Sequence, residues 1–576
     1  MAIQPSTRLI SLLRDGNVDV VEGACDALSK ISLDLDGARA VVEAGVLDFI
    51  LALLESTNVG VQRWTSWIVA ELGFHSSTRR AVVAIQPCAR LVALLGDSNV
   101  DVVEGACYAL SNISLDLDGA RAVVEAGALD FIPGLLESTN VEVQRWTSWL
   151  LSQVAFHSST RGAVVAIQPS TRLVALLGDG NVDVVHGACS ALSQIARDLD
   201  GTRAVVEAGV LKFIPKLLES TNVVVRKWTS WILAQVAFHS STRGAVVAIQ
   251  PSTRLIALLG DGNVDVVRGA CYALANISHD LDGARAVVEA GALDFIPELL
   301  KSTNVAVQKS TSRIVTALGF HSSTRRAVVA MQPSTRLVAL LGDGNVDVVE
   351  GACYALTRIS RDLDGARAVV EAGVLDFIPE LLESTNVVVR KWTSWILAQV
   401  AFHSSTRGAV VAIQPSTRLI ALLGDGNVDV VRGACYALAN ISHDLDGARA
   451  VVEAGALDFI PELLKSTNVA VQKSTSRIVT ALGFHSSTRR AVVAMQPSTR
   501  LVALLGDGNV GVVKDACYAL SQIARDFDGA RAVIDAGTLD FVAELIESTQ
   551  ADVRRCTCVL LGRLARYNRL ALSTKL

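Results

Sequence analysis

Residues 105–129 read Gly-Ala-Cys-Tyr-Ala-Leu-Ser-Asn-Ile-Ser-Leu-Asp-Leu-Asp-Gly-Ala-Arg-Ala-Val-Val-Glu-Ala-Gly-Ala-Leu, and this stretch decides the fold. The part up to Ser114 places apolar residues at the spacing of a helix. Asp118 and Gly119 then precede a short apolar segment, which stops at Gly127 as a helix with a glycine C-cap would stop. The stretch therefore predicts two consecutive helices joined by a short turn.

The residues that follow complete a unit of three helices. Residues 129–137 predict another short helix, and Asn140 is a good N-cap for a longer one that runs from Val141 to about Ala155. Glu142 lies in the first turn of that helix, where the helix dipole favours a negative charge. One such unit cannot bury its apolar faces alone, so units of this kind stack on their neighbours as a solenoid.

The same pattern recurs along the whole chain. Ile-Gln-Pro or Met-Gln-Pro returns every 82 residues, and an Asn returns every 41 residues from Asn17 to Asn509. Fourteen units of 41 account for almost all of the 576 residues. We predict that residues 1–576 form a single array of about fourteen repeats in seven pairs, that its first repeat lacks a first helix, and that residues 567–576 form a degenerate C-terminal cap. Residues 217–346 and 381–510 are identical, which indicates recent duplication or deliberate design.

The segment around Tyr108 and Asn112, with the Glu-Ala-Gly junction that ends at Gly127, resembles an armadillo repeat. It is most similar in pattern to the repeats of the importin-α type, and HEAT repeats are the alternative. The resemblance implies an all-α fold, a right-handed superhelical armadillo solenoid. It also implies that the third helix of each repeat lines a concave face.

Composition sets the class of protein. With 51% apolar and 19% charged residues the chain has a large core, and a formal charge of −5 gives no general attraction to nucleic acid or to anionic membranes. No run of about 20 apolar residues predicts a membrane span, and the N-terminal residues do not have the pattern of a signal peptide. Seven of the ten cysteines recur at one position of the repeat, as small buried side chains in a reducing compartment would. We expect the protein in the cytoplasm, or in both cytoplasm and nucleus.

Two columns of side chains on the third helices suggest a ligand surface. A Tyr or Trp stands at one position of many third helices, and an Asn or Gln follows four residues later on the same helical face. An amide can both donate to and accept from the backbone of an extended peptide, and an aromatic face can hold the stem or charge of Lys or Arg. In importin-α-type repeats these positions bind peptide, and packing between repeats is the alternative role. The matching pairs are Tyr108/Asn112, Trp149/Gln153, Trp231/Gln235, Tyr272/Asn276, Trp395/Gln399 and Tyr436/Asn440.

The charge of the ligand stays open at this stage. Asp116 and Asp198 stand eight residues after the aromatic position, where the importin-α resemblance implies an Asp that clasps a Lys, although such an Asp can equally begin a turn. Four residues before the aromatic position the column is mostly basic, which resembles β-catenin, a protein that takes acidic ligands. The basic column comprises Arg63, Arg145, Lys227, Arg268, Lys309, Lys391, Arg432, Lys473, Lys514 and Arg555.

Enzymatic, metal and cofactor functions find no support in the sequence. It has no phosphate-binding loop, nucleophile elbow or zinc signature, and any His or Asp that could act recurs with its surroundings as a scaffold position does. We read the six Phe-His-Ser-Ser segments as the end of a helix and its turn. The mixture of acidic and basic residues disfavours nucleic acid as a partner.

We therefore predict a non-enzymatic scaffold that binds extended polypeptide segments, with no cofactor and no bound metal. A nuclear-import-type adaptor for basic peptides is one alternative. The other is a recognition array of variable repeat number, or an engineered array without an evolved ligand. We also expect the weakly capped ends to permit self-association.

Overall fold

The computed structural model describes residues 3–573, and within that range the chain is helical and contains no strand. It forms two compact units, Met1–Ala292 and Leu293–Leu576. In each unit three kinds of helix alternate in the order first, second and third. The predicted all-α repeat architecture is thus confirmed.

The third helices are the longest and form the core of each unit. Within a unit, each third helix packs against the next one. Their bounds in the described residues are Val18–Ile31, Val59–Phe74, Val100–Ile113, Val141–Phe156, Val182–Ile195, Val223–Phe238, Val264–Ile277, Val305–Leu318, Val346–Ile359, Val387–Phe402, Val428–Ile441, Val469–Phe484, Val510–Ile523 and Ala551–Ser573.

The first and second helices are shorter. The first helices are Leu35–Glu43, Ser76–Ala84, Leu117–Glu125, Ser158–Ala166, Leu199–Glu207, Ser240–Ala248, Leu281–Glu289, Ser322–Ala330, Leu363–Glu371, Ser404–Ala412, Leu445–Glu453, Ser486–Ala494 and Phe527–Asp535. The second helices are Ile3–Leu12, Leu47–Leu54, Cys88–Leu94, Ile132–Leu136, Ser170–Leu176, Ile214–Leu218, Ser252–Ala257, Ala292–Leu300, Ser334–Ala339, Ile378–Leu382, Ser416–Ala421, Ala456–Leu464, Ser498–Ala503 and Leu539–Glu547.

Turns of 3₁₀ helix adjoin several second helices. These turns are Ala128–Phe131, Val210–Lys212, Leu258–Gly260, Leu340–Gly342, Val374–Asp376, Leu422–Gly424 and Leu504–Gly506. The helix predicted over residues 129–137 is therefore divided, and its α-helical part is Ile132–Leu136. Pro133 has no N–H to donate to a carbonyl four residues earlier, which favours the division.

Polar side chains define where the helices begin. Asn140 accepts a hydrogen bond from the N–H of Val143 at 2.9 Å, and the Asn that precedes each of the other third helices up to Val510–Ile523 caps it in the same way. This cap satisfies N–H groups that have no partner within the helix. The predicted N-cap role of Asn140 is confirmed.

In alternate repeats a threonine and an arginine cover the end of the preceding third helix. Thr160 Oγ1 donates to the carbonyl oxygen of Val154 at 2.6 Å, and Arg161 Nε donates to that of Ala155 at 2.8 Å. Both donors lie on the helix that follows, and both are buried. A positive charge at this place also suits the negative end of the helix dipole.

Every first helix is followed by one residue in the left-handed backbone region. In one half of each 82-residue pair this residue is Gly, as at Gly127 with φ of 82°, and in the other half it is Gln, as at Gln168 with φ of 49°. Glycine adopts this conformation without steric cost, whereas a side chain makes it unfavourable. The glutamines concerned are Gln86, Gln168, Gln250, Gln332, Gln414 and Gln496.

Four predictions about the array as a whole stay predictions: its right-handed superhelix, its number of about fourteen repeats, its continuity over residues 1–576 and its weakly capped ends. The helix Ala551–Ser573 runs through most of the predicted C-terminal cap, and residues 574–576 lie outside the described residues. None of the helices in residues 3–573 combines the length and apolar character needed to traverse a bilayer.

Candidate functional site

The side chains of the predicted ladder line open cavities between successive third helices. We call the surface formed by these columns of Tyr or Trp and Asn or Gln the third-helix face. In the first unit, Tyr108, Asn112 and Trp149 line a cavity of about 200 Å³ together with Phe74 and His186. The ring of Trp149 meets that of His186 edge to face, with centroids 5.4 Å apart.

A second cavity of the first unit lies further along the same face. It has a volume of about 340 Å³ and is lined by Trp231 and Gln235. Phe156, Arg197 and Lys227 complete much of its wall. The cavity therefore combines aromatic, amide and cationic groups.

The second unit holds the largest of these cavities, about 580 Å³. Trp395, Gln399, Tyr436 and Asn440 all line it, so two successive ladder pairs share one open space. The rings of Trp395 and Tyr436 have centroids 5.1 Å apart and planes inclined by 34°. An adjoining cavity of about 330 Å³ also reaches Trp395 and Gln399.

Three predicted ladder residues lie outside these four cavities. Tyr272 packs against Trp231, with ring centroids 5.1 Å apart. Asn276 donates through Nδ2 to the carbonyl oxygen of Ala234 at 2.7 Å. Gln153 is half-buried on the third helix Val141–Phe156. The peptide-binding role of the ladder stays a prediction. The geometry separates the ladder residues that line the cavities from the three that do not.

The asparagines and the glutamines of the ladder differ in which of their hydrogen-bonding groups remain unused. Asn112 is buried, and one N–H of its Nδ2 donates to the carbonyl oxygen of Ala70 at 2.9 Å, which joins two repeats. Gln153, Gln235 and Gln399 make no side-chain hydrogen bond to any of the described residues. Each of these asparagines thus has one amide N–H committed between repeats, whereas the glutamines keep the whole amide for an outside partner.

Asp116 and Asp198 both have structural tasks at the edge of the third-helix face. Asp198 accepts from the N–H of Gly201 at 2.9 Å, and its other oxygen lies 3.6 Å from Nη1 of Arg161. Asp116 accepts from the N–H of Gly119 at 2.9 Å in the same manner. The geometry favours the turn-forming alternative for both residues, and the clasping of a ligand Lys by either stays a prediction.

Most of the positive charges of the basic column are paired with carboxylates of the protein itself. Among the described residues, five of its cations form an ion pair with an Asp in the first turn of the following third helix. Lys227 Nζ lies 2.8 Å from Oδ2 of Asp265, and this hydrogen bond lowers the pKa of the Asp265 carboxyl. Lys391 and Asp429 repeat the arrangement at 2.8 Å in the second unit. Pairs of this kind are Arg63–Asp101, Lys227–Asp265, Lys309–Asp347, Lys391–Asp429 and Lys514–Asp552.

The aromatic faces of the ladder already carry cations of the protein itself. The guanidinium of Arg268 lies 5.8 Å from the ring centroid of Trp231, and that of Arg432 lies at the same distance from Trp395. Arg477 lies 4.9 Å from the ring of Tyr436. Such contacts are attractive over the face of an aromatic ring, so these faces are partly occupied before a ligand arrives.

A column of exposed phenylalanines belongs to the same face, and the sequence interpretation missed it. Phe402 is 62% exposed yet lines the largest cavity beside Trp395. Phe74 and Phe156 line the two cavities of the first unit. The signal was present, because Phe156 follows Trp149 by seven residues, which is two helical turns on one face. The column comprises Phe74, Phe156, Phe238, Phe320, Phe402 and Phe484.

Two histidines that line these cavities, His186 and His443, are held toward their neutral form. Burial lowers the pKa of His186, and burial with the charges of Arg407 and His485 lowers that of His443. In the part of the chain that the structure describes, no three His, Cys, Asp or Glu side chains gather as metal ligands would.

No family model matches the chain, and no curated protein matches it. Among solved structures, an engineered protein is similar, with 28% sequence identity and a TM-score of 0.61 over 69% of this chain and 98% of its own. A second engineered protein has 25% identity and a TM-score of 0.39 over 40% of this chain and 98% of its own. A designed armadillo repeat protein, solved in complex with the peptide (KR)4, has 22% identity and a TM-score of 0.38 over 40% of this chain and 98% of its own.

Proposed function

We propose that this chain, an armadillo-type repeat solenoid, is a non-enzymatic scaffold that binds extended polypeptide segments on its third-helix face. The cavity shared by Trp395, Gln399, Tyr436 and Asn440 carries the proposal. It combines aromatic walls with an amide that has no partner among the described residues. An extended peptide presents an unpaired N–H and C=O at each residue and needs such partners.

The repetition of the site supports a polypeptide rather than a small molecule. The cavity around Trp231 and Gln235 in the first unit has its counterpart, 164 residues on, around Trp395 and Gln399 in the second unit. A chain molecule with a repeating backbone can use the same group at many points, whereas a single substrate uses one site. The same repetition of each polar group argues for recognition rather than catalysis.

We expect this scaffold to act in a reducing compartment, the cytoplasm or the nucleus. All ten cysteines lie within the described residues as free thiols, and nine of them are buried. Thiols persist in this form where glutathione and thioredoxin keep them reduced.

A peptide titration tests the proposal. Extended peptides rich in Lys and Arg, rich in Asp and Glu, or rich in Ser and Gln are titrated into the full chain at low and physiological salt, with peptide anisotropy and tryptophan fluorescence as readouts. We expect at least one of the three to bind, and the combined substitutions Gln235→Ala and Gln399→Ala to weaken it about tenfold by removing two hydrogen-bonding amides.

The matched control is Glu380→Ala, a change at an exposed position of the second helix Ile378–Leu382. It should leave binding unchanged. Silence with all three peptides, in a protein whose circular dichroism shows it to be folded, would refute the proposed function. Equal binding by the double glutamine variant would remove the third-helix face as the site.

A further inference from the structure

At three equivalent places, each 164 residues from the next, an arginine stands two residues after the end of a third helix. They are Arg197, Arg361 and Arg525. The guanidinium of Arg197 lies 5.2 Å from the ring of Phe156 and donates to the carbonyl oxygen of that residue at 3.4 Å. Arg525 has the same two contacts with Phe484, at 4.7 Å and 3.1 Å. At these two places the arginine is held by the phenylalanine column.

The middle place differs by one residue. Where the other two places have Gln194 and Gln522, the middle one has Arg358. The guanidinium of Arg358 lies 4.7 Å from the ring of Phe320, which is the phenylalanine equivalent to Phe156 and Phe484. Its Nη2 donates to the hydroxyl of Tyr354 at 3.0 Å, while its Nε is buried and has no hydrogen-bond partner among the described residues.

Arg358 therefore occupies the position over the ring that the terminal arginine takes elsewhere. Arg361 is exposed and forms no ion pair and no side-chain hydrogen bond with any of the described residues. Partial burial, and then the charges of Arg358 and Arg325, lower its pKa. Two guanidinium groups thus lie near each other, and neither has a carboxylate partner among the residues that the structure describes.

Both arginines line the cavity of about 330 Å³ beside Trp395. Lys391 and Arg432 line it too, and both pair with the single carboxylate of Asp429, at 2.8 Å and 3.0 Å. The cavity thus has four cations and one anion. The equivalent cavity of the first unit has three cations, Arg197, Lys227 and Arg268, and one anion, Asp265.

We propose that the cavity formed by Arg358, Arg361, Lys391 and Arg432 is a subsite for an acidic side chain, Asp or Glu, of the bound polypeptide. This inference rests on the proposed function and specifies its ligand. A guanidinium matches a carboxylate with two parallel hydrogen bonds, which an ammonium cannot form. The rings of Trp392 and Trp395 form part of the wall beside these cations. Gln399, at the same cavity, is placed to bind the backbone beside that acidic residue.

The difference between Arg358 and the glutamines at the two equivalent positions supplies the test. Arg358→Gln introduces the residue that stands at positions 194 and 522, so the variant retains a side chain that this fold already accepts. Gln194→Arg makes the reciprocal change in the first unit. Binding of a labelled Asp/Glu-rich peptide is compared with that of a Ser/Gln-rich peptide of equal length and of a Lys/Arg-rich one.

We expect the acidic peptide to bind the full chain most tightly, and Arg358→Gln to weaken it about tenfold while leaving the Ser/Gln peptide unchanged. Gln194→Arg should strengthen the binding of the acidic peptide. Acidic-peptide affinity that is insensitive to Arg358→Gln, or a preference for the basic peptide, would overturn the subsite and leave peptide binding itself intact. No binding of any peptide would overturn both proposals.

Discussion

Asn440 donates through Nδ2 to the carbonyl oxygen of Ala398, 2.7 Å away on the preceding third helix. Gln399, the residue next to Ala398, makes no such bond within the described residues. The two amides line the same cavity but therefore have different roles. The shorter one ties successive repeats together, and the longer one remains open to a ligand.

This division predicts opposite effects for two alanine substitutions. Asn440→Ala removes a hydrogen bond between repeats and should lower the local free energy of opening by about 1 kcal/mol. Gln399→Ala should leave that energy unchanged. Amide hydrogen exchange of the helix Val428–Ile441 measures both variants. Equal protection in the Asn440 variant and the parent chain would contradict the assignment.

We expect the main role of Asp198 to be that of an N-cap for the helix Leu199–Glu207. Asp198→Ala removes the acceptor for the N–H of Gly201 and the partner of Arg161, and should destabilise the helix Leu199–Glu207 by about 1–2 kcal/mol. Asp198→Asn retains a capping oxygen and should recover most of that loss in hydrogen exchange. If the Asn variant instead folds normally but loses affinity for a Lys/Arg-rich peptide, the Asp binds the ligand as well.

The buried thiols should make the fold sensitive to alkali. Burial raises the pKa of Cys107 and of Cys189 from 9.0 to about 12. Because the raised value belongs to the folded state, their contribution is fully present below pH 9 and is lost as the pH rises toward 12. Each thiol should cost about 1.4 kcal/mol of stability per pH unit in that interval. Urea midpoints measured from pH 8 to pH 11 test this.

Cys107→Ala provides the control for that experiment, because tyrosines and lysines titrate over the same interval. The slope of stability against pH should be smaller in the variant than in the parent chain. Identical slopes would show that the thiol binds the same number of protons in the folded and unfolded states, so that burial does not raise its pKa.

The phenylalanine column should contribute to ligand binding without contributing to stability. Phe402→Ala removes an exposed ring from the wall of the largest cavity, so we expect a severalfold weaker peptide complex and a change in unfolding free energy within about 0.5 kcal/mol. Leu33→Ala is the matched control, since Leu33 is 60% exposed and lies outside the cavities described above. A variant at Phe402 that binds as tightly as the Leu33 variant would exclude the column from the site.

The repeat architecture was predictable because it depends on spacing alone. The sequence shows the 41-residue period, the Asn caps, and the Gly that follows the first helix in one half of each 82-residue pair. Each of these features has one local physical cause. The aromatic positions of the ladder were predictable for the same reason, since Trp395 and Tyr436 occupy the predicted helical face.

The finer roles depended on distances between helices, which the sequence does not contain. Whether an amide reaches a neighbouring carbonyl, as that of Asn440 does, depends on its length and on the separation of two third helices. The displacement of Arg361 by Arg358 over the ring of Phe320 depends on three side chains in two repeats. The column around Phe402 was within reach of sequence analysis, but its position at a helix end suggested a turn instead.

The glutamines in the left-handed backbone region recur every 82 residues, and we expect the mechanical resistance of the chain to vary with the same spacing. Each costs about 1–3 kcal/mol of backbone strain that the glycines at the equivalent turns avoid. A chain stretched from its two ends should therefore break first at the turns around Gln168, Gln250 and their equivalents, which are 82 residues apart. Single-molecule extension should show steps of about 28 nm, the length of 82 extended residues, rather than steps of half that length. Replacing these glutamines with glycine should raise the force of each step and make the 82-residue spacing of the steps less regular. The strained turns would then be the features that determine where the array unfolds under force.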